Sequence, residues 1–67
     1  MNEISISSIE RLLKKSGCKR ISVKACEELR NYLEKTAINV GQKAWVYTKH
    51  AKRRTLMSED IRLATEK

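Results

Sequence analysis

The stretch from Ser22 to His50 holds no proline, and apolar or small side chains recur in it at Ala25, Leu29, Tyr32 or Leu33, Thr36 or Ala37, Val40, Ala44 and Tyr47. Steps of three and four place these along one side of an α-helix. The spacing therefore predicts a single helix, roughly 40 Å long at 1.5 Å per residue. A chain of 67 residues cannot wrap a helix of that length with its own remaining segments. Most of the stripe, with Leu29, Leu33 and Val40 near its middle, is expected to be covered by a second copy or another chain.

Size points the same way. A chain this short buries only about 60% of the surface its unfolded form exposes, and small domains gain stability from disulfides, metal or association. The two cysteines, Cys18 and Cys26, form neither a disulfide framework nor the paired spacing of a zinc site, and read as compact apolar fillers. Association is left as the staple, and no metal or other cofactor is expected.

The chain carries 15 Lys and Arg against 8 Asp and Glu, a formal charge of +7, which favours a polyanionic partner. From Lys14 to Arg20 there are four cations and no acid, and from Lys49 to Arg54 four more, so these segments bracket the long helix. Glu27, Glu28, Glu34 and Lys35 are read as keeping its outer face mixed in charge, which argues against a helix lying on a membrane. No secretory leader or membrane-spanning run is visible. The expectation is one soluble, intracellular domain over residues 1–67.

Along the chain, Ser7 to Glu10 reads as a capping box opening a short helix, with Ile9, Leu12 and Leu13 on one side and Arg11, Lys14 and Lys15 on the other. Ser16 and Gly17 close it. Cys18 to Ile21 is a basic loop, open to reading as a solvated turn or a binding segment, and Ser22 caps the long helix. Gly41 marks either the close approach of another backbone or a tolerated exposed glycine. Ile38 and Trp45 lie off the main stripe. After His50 and Ala51 comes a second basic loop, with Leu56 and Met57 extended, and Ser58, Glu59 and Asp60 cap and open a last short helix.

That order, with Lys19-Arg20-Ile21-Ser22 and the run from His50 through Arg53-Arg54-Thr55 to Glu59-Asp60-Ile61, resembles the histone fold, most closely the small tailless archaeal histones. The resemblance implies an all-α, head-to-tail dimer in which two long helices cross. It sets the first basic loop of one chain beside the second loop of the other. Arg20 resembles the arginine that enters the minor groove and Thr55 the threonine that positions it. Lys19, Arg54 and Arg11 match phosphate-contacting positions, joined by Lys14 and Lys15 of the same basic segment. Arg53 and Asp60 match a structural salt bridge, and Tyr47, His50 and Asp60 fall where dimers meet. Lys52 stands where glycine is usual, Tyr47 replaces an aliphatic residue, and Trp45 is unusual nearby.

No catalytic constellation, nucleophile pair or glycine-rich phosphate loop is present in the sequence. The function expected is that of a non-enzymatic chromatin protein of the nucleoid that binds double-stranded DNA with little sequence preference and bends, wraps or compacts it. Its protein partner would be itself or another histone, with stacking of dimers. The alternatives are a subunit of a sequence-specific transcription factor and a histone variant that bridges duplexes.

Overall fold

Three helices, α1 (Ile6–Lys15), α2 (Val23–His50) and α3 (Ser58–Thr65), make up the regular structure in a computed structural model that describes residues 3–66. The short, long, short order is the one the sequence predicts. At 28 residues, α2 is about 42 Å long. The chain divides into two compact units, Met1–Lys35 and Thr36–Lys67, and α2 gives its first half to one and its second half to the other.

In the first unit, α1 starts earlier than the expected capping box. Ser5 is the N-cap, with extended backbone, and its Oγ accepts the Ser8 N–H at 3.1 Å. Ser7 and Glu10 lie inside the helix. The serines at 5, 7 and 8 offer competing caps of similar chemistry. The earlier start adds half-buried Ile6 to the side already carrying buried Ile9 and half-buried Leu13, in steps of three and four. The helix ends in a Schellman motif: Cys18 N–H donates to the Leu13 carbonyl at 3.2 Å and Gly17 N–H to that of Lys14 at 3.0 Å. Gly17 has φ +106°, a region that glycine enters without a Cβ clash.

Ser22 caps α2, its Oγ accepting the Ala25 N–H at 3.1 Å. Two readings of this unit need correction. Glu34 does not lie on a solvated outer face but is only 9% exposed, and its Oε2 accepts the Ile4 N–H at 2.9 Å. It follows Cys26 and Arg30 in steps of four, so helical phase places it with buried Cys26 despite its charge, and a backbone donor repays part of its desolvation. Cys18 is exposed, and only Cys26 acts as a buried filler.

In the second unit, α2 closes with the same motif. Arg53 N–H donates to the Thr48 carbonyl at 3.1 Å and Lys52 N–H to that of Lys49 at 2.9 Å. The left-handed residue here is Lys52, with φ +57°. For a residue with a Cβ that conformation costs about 1–2 kcal/mol, whereas a cation at a helix C-terminus typically returns about 0.3–1 kcal/mol. The N-cap of α3 is Met57, not Ser58, and Asp60 reaches back to accept the Met57 N–H at 3.0 Å. Leu56 and Met57 are exposed and belong to no strand among the described residues. The two connections, 16–22 and 51–57, have equal length.

The buried apolar residues among those described are few and mostly small: Ile9, Cys26, Ala44 and Ala64. Larger ones face outward, among them Leu12, Tyr32, Leu56, Ile61 and Leu63. A Cβ added at Gly41 would meet nothing within 4 Å in this chain.

The corrected start of α1 is directly testable. Ser5→Ala should cost about 1 kcal/mol through the lost cap, whereas Ser7→Ala should stay within about 0.5 kcal/mol of the parent. Urea unfolding of both variants at one protein concentration checks the assignment, and the reverse ranking would restore the cap at Ser7.

Candidate nucleic-acid interface

Five cations of the first unit, all at or before the first connection, are exposed, whereas Arg30 on α2 is half-buried with its Nε enclosed. Arg11, Lys14 and Lys15 are exposed on α1, and Lys19 and Arg20 are exposed on the connection that follows. Arg11 is held over the first turn of α1, where its Nη2 donates to Ser8 Oγ at 3.2 Å. No acidic residue occupies that turn, so the partial positive charge of the helix start and the guanidinium act in the same direction.

The second unit sorts its cations differently. Arg53 turns inward, where its Nη2 donates to Asp60 Oδ1 at 2.8 Å and its Nη1 to Asp60 Oδ2 at 3.0 Å, a two-pronged ion pair. Its Nη1 also donates to the Thr55 carbonyl at 3.3 Å. The pair thereby fixes the loop backbone while Arg54 and the Thr55 side chain remain at the surface. This is not a solvated surface pair, because Asp60 is 1% exposed.

Thr48 completes the cluster. Wholly buried, it donates from Oγ1 to Asp60 Oδ2 at 2.7 Å and also lies 3.2 Å from the Ala44 carbonyl. With the Met57 N–H, the carboxylate takes donors from the end of α2, the connection and the start of α3. The Arg53 guanidinium is the foremost reason that the Asp60 carboxyl titrates well below the usual carboxylate range. The Thr48 hydroxyl and the Met57 amide add to that effect against the opposing cost of burial. Asp60 in turn raises the pKa of Arg53.

Thr48 was not among the residues singled out from the sequence. It lies one turn after buried Ala44, and a hydroxyl on that side requires a buried acceptor. The carboxylate opening α3 was the available signal.

Of the residues expected at contacts between chains, Leu29, Leu33 and Val40 are half-buried in the single chain. Tyr47 and His50 are exposed and share a shallow groove with Lys43 and Val46. Asp60 differs from both, since both its oxygens are engaged within its own chain. Among the described residues no group of three or more His, Cys, Asp or Glu is placed to hold a metal ion. No helix there is long and apolar enough to cross a membrane.

Comparison with known proteins adds the following. The family model for histone-like transcription factors (CBF/NF-Y) and archaeal histones matches residues 2–65. The chain is 46% identical over 66 residues to an archaeal histone of Thermococcus zilligii, one of the HAN1 subunits, covering 98% of each. It is 36% identical over 64 residues to probable archaeal histone 3 of Methanocaldococcus jannaschii, covering 96% of each. To histone H4 of Dictyostelium discoideum it is 41% identical over 61 residues, which are 91% of this chain and 56% of H4.

The Asp60 cluster should govern the acid limb of stability. A carboxyl whose pKa is lowered by folding contributes fully above its unfolded value, near 3.8, and that contribution fades as pH falls toward the folded value. The melting temperature should therefore lose little from this group between pH 8 and 5 and decline below about pH 4. Asp60→Asn should melt lower than the parent at pH 7 and show a shallower acid decline. Thermal melts across pH 2–7 check this, and parallel acid limbs for the two proteins would remove Asp60 as the cause.

Proposed function

We propose a DNA-architectural role for this chain, which belongs to the family of histone-like transcription factors (CBF/NF-Y) and archaeal histones. Members of that family are architectural rather than catalytic. The working unit is a dimer of one histone-fold domain per chain, over residues 1–67, associated with the nucleoid. It binds duplex DNA with little sequence preference and bends or wraps it. The observation that carries this reading is the sorting of cations: Arg53 is spent internally on Asp60, while Arg11, Lys14, Lys15, Lys19, Arg20 and Arg54 are exposed at the surface.

The surface area supports dimerisation. A chain of 7.8 kDa folded alone is expected to expose about 4,400 Å², but this one exposes 5778 Å². Two such chains folded to the surface expected of one globule of twice the mass would hide about 4,300 Å² in total, within the range of obligate dimers. Leu29, Leu33 and Val40, half-buried in one chain, would be completed by the second. The second chain is a copy of this one or another histone.

In such a dimer the 16–22 connection of one chain lies beside the 51–57 connection of its partner. Arg20 enters the minor groove, Thr55 positions it, and Lys19 and Arg54 take phosphates. A third site lies midway, at the start of α1 with Arg11. There the Ser8 amide is already taken by Ser5, which leaves the Ile6 and Ser7 amides to face a phosphate. Sites spaced one helical turn apart, about 10 bp, engage about 30 bp per dimer. Dimers stack through Tyr47 and His50. Asp60 supports that surface from beneath by fixing the neighbouring loop.

Because phosphate neutralisation releases counterions, affinity should fall steeply with salt, and preference should follow the ease of bending the duplex. Nuclease digestion of long DNA at rising protein concentration should leave protected lengths near 30 bp that grow in steps. A single fixed footprint at one sequence would instead support a subunit of a sequence-specific factor, and parallel paired duplexes in microscopy a bridging histone. Arg20→Ala should weaken binding by roughly tenfold, the scale of one charge-assisted contact, and leave the dimer folded. Leu29→Asp should prevent dimerisation by burying an unpaired charge, as read by sedimentation. A folded, dimeric Leu29→Asp protein would overturn the assigned core.

A further inference from the structure

We propose that Lys52 is an additional DNA phosphate contact, retained at the end of α2 despite the left-handed backbone that the position demands. The inference rests on the DNA-binding reading above and adds to it a residue of the second basic segment to which the family likeness assigned no contact. It starts from a comparison inside the chain. Both connections begin with the same Schellman hydrogen bonds and have the same length. In the first, the left-handed position is filled by Gly17; in the second it is filled by Lys52, with φ +57°. Glycine suits this motif wherever nothing else is asked of the side chain, so the lysine requires a reason of its own.

Local structure does not supply one. The last turn of α2 already has Lys49 to offset its dipole, and one more cation returns less than the left-handed conformation costs. Among the described residues the ion pair is Arg53 with Asp60, and Lys52 has no carboxylate partner. Its side chain is exposed.

What the position does supply is placement. The Lys52 N–H is bonded to the Lys49 carbonyl at 2.9 Å, and the next amide is bonded to Thr48 at 3.1 Å. The base of the side chain is thus fixed to the end of a helix. Arg53, its neighbour, points inward to Asp60, so Lys52 and Arg54 are the two cations this loop presents to solvent. Strained backbone kept at a surface rich in one charge is the pattern expected of a binding residue. The ligand chemistry is a phosphodiester, for which a flexible ammonium is a sufficient partner.

The test compares Lys52→Gly, Lys52→Asn and Lys52→Arg in the full chain, on one mixed-sequence duplex, by affinity across salt and by thermal melting. Both uncharged variants should bind more weakly. Each lost phosphate contact lowers the salt slope by about 0.9, hence by about 1.8 for two chains, and such variants should lose about tenfold less affinity than the parent between 50 and 200 mM salt. Lys52→Arg should keep the parental slope, and Lys52→Gly should melt higher than the parent even as it binds less well. Parental affinity and slope in Lys52→Gly would overturn the assignment, as would weaker binding with an unchanged slope, which would trace the loss to loop geometry. Failure of the parent protein itself to bind the duplex would instead overturn the DNA-binding reading.

Discussion

One buried carboxylate holds the second unit in the form its surface requires. Asp60 accepts from Thr48, from both terminal nitrogens of Arg53 and from the Met57 amide. Burying a charge is costly unless a counter-charge and hydrogen bonds repay its lost hydration, and here both are present. The arrangement is correspondingly intolerant, because removing any single donor leaves part of the carboxylate unpaired in a place water does not reach. Its reach extends to the loop surface. By drawing Arg53 inward and tying the Thr55 carbonyl to it, Asp60 decides which cations of a basic loop are structural and which are left outside.

The second constraint is a shortage of core. A side chain as small as alanine or cysteine buries little apolar area, and such residues make up most of what is hidden among the described part of this chain. Burial at about 25 cal/mol per Å² from so few groups does not offset the entropy of ordering the backbone. Tyr32, 65% exposed, and Ala37, exposed on the side of α2 that elsewhere buries Cys26 and Ala44, are unfinished surfaces that a second chain would complete. Stability would then be inseparable from concentration. A dimer would also carry twice the +7 of one chain, a self-repulsion that a polyanion relieves.

The helices and the basic segments were legible in the sequence because both are properties of spacing. Three- and four-residue steps survive any detail of packing, and so does a run of cations without acids. The pairing of Arg53 with Asp60 was legible only through likeness to a family, since nothing in the spacing alone tells an inward guanidinium from an outward one. What escaped were choices between chemically similar neighbours. Ser5 and Ser7 are equal as caps until Ile6 is counted on the buried side, and Glu34 looks solvated until its phase with Cys26 outweighs its charge. Thr48 gives no signal of its own, and its part emerges only when a carboxylate from a later helix takes its hydroxyl. The first two turn on which side of a helix is buried, and the third on a partner in another helix, neither of which local propensity contains.

The equal connections 16–22 and 51–57 follow one local rule. Each has a positive-φ residue in second place, and each reaches the side chain proposed to meet DNA three positions later, Arg20 after Gly17 and Thr55 after Lys52. Each then reaches the next N-cap five positions on, at Ser22 and at Met57. Connections of the same length and starting geometry emerge from their helices along similar paths. In the proposed head-to-tail dimer, where one of each kind meets at either end, their side chains would stand at comparable height over a duplex. Exchanging glycine for lysine in one of them leaves that path intact, because the hydrogen bonds that set it belong to the backbone, and it changes only what the path carries. On the proposed reading, this separation of backbone geometry from side-chain charge would let a histone-like scaffold vary its grip on DNA while its connections keep their path.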